Sequence, residues 1–299
     1  MKKLVQLVLI VLAQAFCLSI PAQANELTGT LKKIKDTNTI TLGHRDTSVP
    51  LSYLDGDQKP VGYSVDICLE IVKEVRSRLN LPNLQVKYVP ITSQTRIPLI
   101  TNGTVDADCG STTNTVERQK QVSFLYTHFV TGIKLLAKKK DSIKSYKDLK
   151  AKTLVTVNGT TSERLFKDLG AKENLDLTFI GSADMAEAFM MVETGRATAW
   201  PIDESILFPL IALSKRPADF EVVGEFLSYE PIAVMVRKDD PQFKALGDSV
   251  LKSIFQSGKI NEIYNKWFAA PIPPKGITLQ LPLSDSMKKL ISNPDDKGI

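Results

Sequence analysis

The chain has 299 residues, with 38 Lys and Arg against 33 Asp and Glu, a formal net charge of +5 and 43% apolar residues. This length suits about two folded domains, and the composition excludes disordered, collagen-like and disulfide-rich scaffolds. The positive charge is spread along the chain, and the longest basic run, at 138–140, is followed at once by Asp141. We therefore expect no nucleic-acid binding.

The first 24 residues have the pattern of a secretory signal peptide. Lys2 and Lys3 precede an apolar stretch at 4–20, and residues 22–24, Ala-Gln-Ala, have the small-x-small form of a cleavage site. An uncleaved membrane anchor is the alternative, which the glutamines inside the stretch disfavour. We expect cleavage after Ala24 and export of a soluble mature chain to the periplasm.

Cleavage would also remove Cys17 and leave Cys68 and Cys109 as the cysteines of the mature chain. An oxidising compartment permits a disulfide between them. The sequence leaves two possibilities open, a disulfide or two small buried apolar side chains.

Short apolar strands alternate with amphipathic helices along the mature chain, which predicts an α/β fold. In the first half, the spacing of apolar residues predicts strands at 39–43, 86–90 and 105–109. It predicts helices at 64–79, 92–102 and 114–122. The last of these helices is opened by a capping signal of Asn114 and Glu117.

The second half repeats this alternation. The spacing predicts strands at 153–157, 178–180, 197–202, 220–223 and 232–236. It predicts helices beginning at 161, 182, 204 and 241, of which the second ends at Gly195 and the third is interrupted or kinked near Pro209. An apolar stripe at 260–268 belongs to the core, and residues 271–299 form a surface strap with a short helix at 284–291.

Polar residues follow the carboxyl ends of four predicted strands, which is where ligands bind in open α/β sheets. These residues are His44-Arg45, the segments 110–113 and 159–162, and Asp203. Thr160 and Glu163 also match a capping box, so helix capping alone is the alternative role for such residues. The repetition at four strand ends favours a ligand site.

The charged groups of an amino acid fit this set of residues. An α-carboxylate needs a guanidinium and hydroxyl groups, and an α-ammonium needs a carboxylate. Arg118 follows the Ser/Thr-rich segment in the first turn of a predicted helix, and Asp203 ends a predicted strand. We predict that Arg118 binds the carboxylate and Asp203 the ammonium. An exposed surface arginine is the alternative for Arg118.

The chain resembles the bacterial periplasmic solute-binding proteins of amino-acid ABC importers, and among them the glutamate/aspartate-binding proteins. The resemblance covers nearly all of the mature chain. Its most specific segments are CGSTTN at 109–114, VERQK at 116–120, GTTSE at 159–163 and RKDDPQF at 237–243.

The resemblance implies a two-lobed α/β fold in which each lobe is a sheet flanked by helices. Two hinge strands would join the lobes, with crossings near 133–137 and 226–232, and the ligand would lie in the cleft between the lobes. The implied division is a signal peptide at 1–24, a first lobe at 25–135 and 229–270, a second lobe at 136–228, and the C-terminal strap at 271–299.

The resemblance also implies which residues bind the backbone groups of an amino acid. The position that matches Asp203 binds the α-ammonium. The α-carboxylate is bound by a guanidinium and by hydroxyl groups of two loops, at the positions that match Ser111, Thr113, Arg118, Thr160 and Thr161.

The positions that match Arg45 and Arg96 suit a second carboxylate on the side chain of the ligand, which implies L-glutamate or L-aspartate. Ser93 either assists these arginines or caps the helix that carries Arg96. Met185 stands where the acidic amino-acid binders have a histidine near the ligand side chain. The methionine implies a pocket that is roomier, less polar or tuned between aspartate and glutamate, so the preference between the two stays open.

Two other classes of protein are alternatives, an exported enzyme of the same fold, such as a dehydratase, and an extracytoplasmic sensor domain. His44 and His128 are the only imidazoles, and the chain has no metal-ligand motif, nucleophile elbow or P-loop. We therefore expect no enzyme activity, no cofactor and no metal. The expected partners are the amino acid and an inner-membrane ABC permease, and we expect a monomer. A receptor for a different amino acid also stays open.

Overall fold

The computed structural model describes residues 26–299, so the predicted signal peptide at 1–24 lies outside it. Before the first crossing between its two large sheets, the helices and strands are α1 (Gly29–Thr37), β1 (Thr39–His44), β2 (Thr47–Ser48), β3 (Ser52–Leu54), β4 (Pro60–Val61), α2 (Tyr63–Arg78), β5 (Gln85–Pro90), α3 (Arg96–Thr101), β6 (Ala107–Asp108), α4 (Val116–Gln119) and β7 (Val122–Phe124).

The remaining elements follow in chain order, with short 3₁₀ turns between some of them. They are β8 (Phe129–Thr131), β9 (Ile133–Lys138), β10 (Thr153–Val157), α5 (Thr161–Lys172), β11 (Thr178–Ser182), α6 (Met185–Thr194), β12 (Ala199–Asp203), α7 (Glu204–Leu213), β13 (Phe220–Val223), β14 (Glu230–Ile232), β15 (Met235–Arg237), α8 (Pro241–Gln256), α9 (Lys259–Phe268) and α10 (Asp285–Ser292).

Two five-stranded sheets organise the molecule. The first has the order β5-β1-β6-β15-β7, in which β1 runs parallel to β5 and β6 and β15 runs antiparallel to its neighbours. The second has the order β11-β10-β12-β9-β13, in which β10 is parallel to β11 and β12 and β9 is antiparallel to its neighbours. We call the parts built on these sheets the first lobe and the second lobe. The predicted α/β class is confirmed.

Two short strands link the lobes. In the chain, β8 lies between β7 and β9, and β14 lies between β13 and β15. They pair antiparallel, with Thr131 opposite Glu230 and Phe129 opposite Ile232, and we call this pair the hinge ladder. The first crossing, predicted near 133–137, is at β8 instead, because Ile133–Lys138 is a full strand of the second sheet.

Each lobe has its own apolar core. In the first lobe, α2, α8 and α9 pack against one another, and α8 buries Phe243, Leu246 and Val250 at the predicted helical spacing. In the second lobe, Leu135 and Leu136 of β9 enter separate cores on opposite faces of the sheet. Although a strand that is buried on both faces has a continuous apolar sequence, β9 was not predicted as a strand, because residues 133–137 were expected to form a crossing between the lobes.

The helix predicted at 114–122 is shorter, and its cap is a different residue. Thr115 is the N-cap of α4, and its hydroxyl accepts a hydrogen bond from the Arg118 N–H at 3.1 Å. The Asn114 side chain instead donates to the Asp296 carbonyl oxygen of the C-terminal strap at 2.9 Å. The helix ends at Gln119 because the next apolar residues form β7 in the first sheet.

Other predicted elements differ at their ends. The helix predicted from 182 begins at Met185, because Ser182 still pairs in β11 and Asp184 provides the cap for the Glu187 N–H. The helix at 92–102 is reduced to α3, and the strand predicted at 232–236 is divided between β14 and β15, which pair with different partners. α7 continues through Pro209 without the predicted interruption.

Cys68 on α2 and Cys109, directly after β6, form a disulfide with Cα atoms 6.1 Å apart. Of the two possibilities left open by the sequence, the structure therefore has the disulfide. A cross-link over 41 residues stabilises the folded chain by about 4 kcal/mol, because it constrains the unfolded chain. The bond also fixes the start of the segment 110–113 to α2.

Within residues 26–299, no helix is both long enough and apolar enough to span a membrane.

Candidate functional site

The carboxyl ends of strands from both lobes carry the predicted site residues. Arg45 follows β1 and the segment 110–113 follows β6 in the first lobe, whereas Thr160 follows β10 and Asp203 ends β12 in the second lobe. These ends face each other across the boundary between the lobes. We call this region the interlobe site.

The two lobes touch each other at this site. The Arg118 guanidinium donates from Nη2 to the Gly159 carbonyl oxygen at 3.2 Å, and the Met185 N–H donates to the Thr47 hydroxyl at 3.2 Å. Gly159 has a positive φ of 81°, and a Cβ at this position would lie 2.9 Å from the Ser93 carbonyl oxygen. The structure therefore has the lobes closed on each other, and the approach at Gly159 requires glycine.

Arg45 is a buried arginine with a fixed orientation. Its side chain donates from Nη1 to the Ser93 hydroxyl at 3.1 Å, and its backbone N–H donates to the Ser52 hydroxyl at 2.9 Å. Ser93 thus contacts Arg45, and it does not cap α3, whose N-cap is Thr95. Burial, followed by the positive charge of Arg96, lowers the pKa of Arg45 to about 10, so the guanidinium is still charged at neutral pH.

Arg96 begins α3 and is also buried, with 2% of its surface exposed. Its Nη1 donates to the Thr112 hydroxyl at 2.7 Å, whereas its buried Nε has no hydrogen-bond partner. A buried donor without a partner costs free energy unless a ligand satisfies it. Burial lowers the pKa of Arg96, and the negative charges of Asp108 and Asp203 act in the opposite direction.

Arg118 lies half-buried in the first turn of α4. Besides its contact with the second lobe, it donates from Nη1 to the Thr113 carbonyl oxygen at 2.7 Å. Burial, and then the charge of Arg96, lower the pKa of Arg118 to about 9. Position 118 is the third residue of a short helix, where a positive charge opposes the helix dipole, so helix stability does not account for an arginine here.

Asp203 is the carboxylate of the interlobe site. It is buried, and no hydrogen-bond donor or cation of residues 26–299 contacts its side chain. Burial and the nearby Glu230 raise the pKa of Asp203 well above its ordinary value, while the charges of Arg118 and Arg96 lower it. A cation next to this buried carboxylate would favour its ionised form.

The hydroxyl residues of the second lobe are held by different partners. The Thr160 hydroxyl accepts a hydrogen bond from the Glu163 N–H at 3.2 Å, and the Glu163 carboxylate accepts one from the Gly159 N–H at 2.7 Å. Thr160 therefore caps α5, but the predicted capping box is incomplete, because the Glu163 carboxylate accepts from Gly159 and not from the backbone N–H of Thr160. The Thr161 hydroxyl donates to Glu230 of the hinge ladder at 2.9 Å.

Ser111 and Met185 complete the set of predicted residues. The Ser111 hydroxyl donates to the Ser48 hydroxyl at 3.4 Å and is buried in the first lobe. Met185 is the first residue of α6 and is buried, with its backbone bonded to Thr47. The neighbouring Asp184 is close enough to Arg45 for its charge to act on the pKa of that guanidinium.

Three buried residues of the interlobe site were not assigned individual roles from the sequence. They are Asp108 and Thr112 of the first lobe, and Glu230 of the hinge ladder. Thr112 lies inside the segment 110–113 and Asp108 ends a strand, so position alone could have indicated both. Glu230 carried no such signal, because only the fold brings β14 next to Thr161.

The interlobe site offers three guanidinium groups from the first lobe and one unpartnered carboxylate from the second. Such a set binds a small molecule that carries both anionic and cationic groups. No cluster of three or more His, Cys, Asp or Glu side chains in the described part of the chain could hold a metal ion. Two lobes closed on such a site over a hinge ladder define a ligand-binding protein.

Comparison with known proteins identifies the family. The family model of bacterial extracellular solute-binding proteins, family 3, matches residues 40–270. The L-glutamate/L-aspartate-binding protein of Pseudomonas aeruginosa is 52% identical over 285 residues, which are 95% of this chain and 94% of that protein. The glutamate/aspartate import solute-binding protein of Escherichia coli is 47% identical over 270 residues, 90% of this chain and 89% of that one.

A solved structure agrees with these relatives. An ancestral arginine-binding protein bound to arginine has a TM-score of 0.70 and 29% identity, and the match covers 78% of this chain and 99% of that one. The chain belongs to family 3 of the bacterial extracellular solute-binding proteins. It is a solute-binding protein and not an enzyme, which confirms the predicted class.

Proposed function

We propose that the chain is a periplasmic receptor that binds an acidic amino acid, L-glutamate or L-aspartate, between its lobes and delivers it to an inner-membrane ABC permease. One observation carries this proposal: three arginines of the first lobe and one buried, unpartnered carboxylate of the second lobe lie together at the interlobe site. The Pseudomonas aeruginosa and Escherichia coli relatives are both named for glutamate and aspartate, which supports the same ligands here. The name of the Escherichia coli relative also includes import, which supports a role in uptake.

The α-carboxylate of the ligand binds at Arg118, with the hydroxyl groups of Ser111 and Thr113 and the loop of Thr160 and Thr161. The position of Arg118 supports this role, because it donates to both lobes and lies beside the Ser/Thr-rich segment. A guanidinium together with hydroxyl and backbone donors is the set that binds a carboxylate most strongly. Every α-amino acid would make this contact.

The α-ammonium of the ligand binds Asp203. This carboxylate has no protein hydrogen bond among the described residues, and burial and the nearby Glu230 raise its pKa, so its surroundings disfavour the ionised form. An ammonium brought next to it supplies both the hydrogen bonds and the opposite charge that the protein does not supply.

The side-chain carboxylate of the ligand binds Arg45 and Arg96, with Ser93 holding Arg45 in place. Two guanidinium groups in addition to Arg118 exceed what a neutral amino acid needs, and Arg96 still has an unpartnered Nε. Met185, buried at the start of α6, gives an apolar contact to the methylene carbons of the ligand.

Binding closes the lobes over the hinge ladder, because residues of both lobes contact one ligand. The closed form then presents the surface that the permease recognises. Cleavage of the signal peptide at 1–24 delivers the mature chain to the periplasm as a monomer, whose two lobes are joined by β8 and β14 and whose last segment is the strap at 271–299.

The test is calorimetric titration of the mature protein with glutamate, aspartate, glutamine, asparagine and succinate. The protein is first unfolded without reductant and refolded, which removes bound ligand and keeps the Cys68–Cys109 disulfide. We expect binding of glutamate, aspartate or both, with far weaker binding of the two amides and of succinate, which lacks an ammonium. The tightest binding to a neutral amino acid, or no binding of either acid, would contradict the proposal.

A further inference from the structure

A chain of three buried side chains lies behind the interlobe site. Arg96 donates from Nη1 to the Thr112 hydroxyl at 2.7 Å, and the Thr112 hydroxyl donates to Oδ2 of Asp108. The other carboxylate oxygen of Asp108 accepts a hydrogen bond from the Gly110 N–H at 2.8 Å. Asp108 and Thr112 are each 1% exposed, and Arg96 is 2% exposed, so water does not compete for these bonds.

The chemistry of the three groups allows only one direction of donation. A guanidinium only donates hydrogen bonds, and a carboxylate only accepts them. The Thr112 hydroxyl must therefore accept from Arg96 and donate to Asp108, which fixes the rotation of the hydroxyl and the position of the Arg96 Nη1 atom. Arg96 then has one nitrogen committed to Thr112, while its Nε has no partner in the protein.

We propose that Asp108 and Thr112 are positioning residues that hold Arg96 in the orientation in which it binds the side-chain carboxylate of the ligand. This inference rests on the proposed function, because it assumes that Arg96 contacts that carboxylate. It assigns no ligand contact to Asp108 or to the Thr112 hydroxyl.

The surrounding charges support this role. Burial lowers the pKa of Arg45, Arg96 and Arg118, and the negative charge of Asp108 acts against that effect on each of them. The charge of Arg96 in turn disfavours the charged forms of Arg45 and Arg118. Among the described residues, Asp108 is the carboxylate whose charge acts on all three guanidinium groups.

The packing at Gly110 supports the same inference. A Cβ at this position would lie 2.8 Å from Oδ1 of Asp108 and 3.0 Å from Cγ of Arg45. The segment therefore runs tightly between the carboxylate and the first arginine, and the Cys68–Cys109 disulfide fixes the residue just before it. These contacts leave Asp108 little freedom to turn away from Thr112.

The test is a double-mutant cycle of Thr112→Val and Arg96→Ala. Valine keeps the shape of threonine and removes its hydroxyl. Glutamate and aspartate affinities are measured from the ligand-induced rise in unfolding temperature, which detects millimolar dissociation constants. We expect Thr112→Val to raise the dissociation constant of the better acid at least tenfold in the otherwise unchanged protein, and less than twofold in the Arg96→Ala protein.

Two further variants separate positioning from a general effect on the fold. Thr112→Ser restores the hydroxyl and is expected to restore the affinity to within about threefold of the original value. Thr127→Val is the matched control, since Thr127 is a buried threonine of the first lobe whose hydroxyl has no partner, and it should not change the affinity. If Thr112→Val does not fold, Thr112→Ala takes its place in the cycle.

Three results would overturn the inference. Thr112→Val could leave the affinity unchanged, it could weaken binding by the same factor with and without Arg96, or Thr112→Ser could fail to restore binding. If the unchanged protein binds neither glutamate nor aspartate, the proposed function fails as well. If the unchanged protein binds one of these acids and the effects of Thr112→Val and Arg96→Ala on the binding free energy simply add, only the positioning role fails.

Discussion

Arg118 of the first lobe donates a hydrogen bond to the carbonyl oxygen of Gly159 in the second lobe at 3.2 Å. The same guanidinium donates to the Thr113 carbonyl oxygen in its own lobe at 2.7 Å. The residue that we assign to the α-carboxylate therefore also joins the lobes in the closed form. Ligand binding and lobe closure use one side chain, so a change at Arg118 affects both.

Arg118→Ala is expected to weaken the binding of every amino-acid ligand, because it removes the contact that all of them share. A hydrogen bond to a charged group contributes about 1.5–3 kcal/mol, so the dissociation constants should rise about 10- to 150-fold. Calorimetric titration with each ligand measures the change. Arg78→Ala, at an exposed arginine of α2, is the control, and normal binding by a folded Arg118→Ala protein would refute the assignment.

Arg45→Ala and Arg96→Ala are expected to lower the preference for acidic ligands. Each removes a guanidinium that a second carboxylate would contact, so glutamate should lose at least about tenfold more affinity than glutamine. The measured quantity is the ratio of the dissociation constants of glutamine and glutamate. If both variants keep the ratio of the unchanged protein, Arg45 and Arg96 do not bind the side chain of the ligand.

Asp203→Asn is expected to abolish amino-acid binding and to stabilise the ligand-free protein at neutral pH. The pKa of Asp203 is raised on folding by burial and by Glu230, so the folded protein disfavours the ionised carboxylate. The contribution of Asp203 to stability is present below its unfolded pKa of about 3.9 and is lost as the pH rises through the raised value. Asparagine does not ionise and avoids this loss.

The measurement is the free energy of unfolding of the unchanged protein and of Asp203→Asn, both without ligand, between about pH 4 and pH 7. The lower limit is close to the pKa of an aspartate in the unfolded chain, and the upper limit is neutral pH. The stability advantage of the variant should grow as the pH rises. A constant difference across this range would contradict the raised pKa, and retained binding would contradict the assignment of the ammonium.

Gly159→Ala is expected to oppose lobe closure. The added Cβ would lie 2.9 Å from the Ser93 carbonyl oxygen of the opposite lobe, and this contact exists only when the lobes are closed. Gly276→Ala is a matched control, because Gly276 also has a positive φ, 66°, but has nothing within 4 Å of the added Cβ. Both variants share the backbone strain, so only Gly159→Ala should lose ligand affinity, by about tenfold or more. Equal affinities would contradict closure at this contact.

The alternation of strands and helices was predictable because it depends on local periodicity. The strands Thr153–Val157 and Phe220–Val223 lie where the apolar pattern predicted them, since both are enclosed by the packing of the second lobe. The start of the helix after Asp240 was also predictable, because Asp-Pro is a strong local signal for a helix N-terminus.

The errors arose where distant parts of the chain meet. The Asn114 side chain does not cap α4 because it bonds to Asp296, 182 residues away. The strand predicted at 232–236 is divided because its first part pairs with β8 of the hinge ladder. The disulfide and the role of Glu230 depend on the fold in the same way, and no local pattern contains that information.

Part of the candidate site was also predictable from the sequence. Residues at strand ends, such as Arg45 and Asp203, could be selected because parallel strands direct their carboxyl ends to a common edge. Asp108 was missed and Thr112 was selected only as part of the segment 110–113, because the role of both depends on Arg96, which comes from a different element.

The most direct test of the central claim is a crystal structure of the mature protein with bound glutamate. We predict that the amino acid lies between the closed lobes, with its α-carboxylate on Arg118, its ammonium on Asp203 and its side-chain carboxylate within hydrogen-bond distance of Arg45 or Arg96. A ligand bound in the reverse orientation, or bound elsewhere while the interlobe site holds only water, would contradict the account.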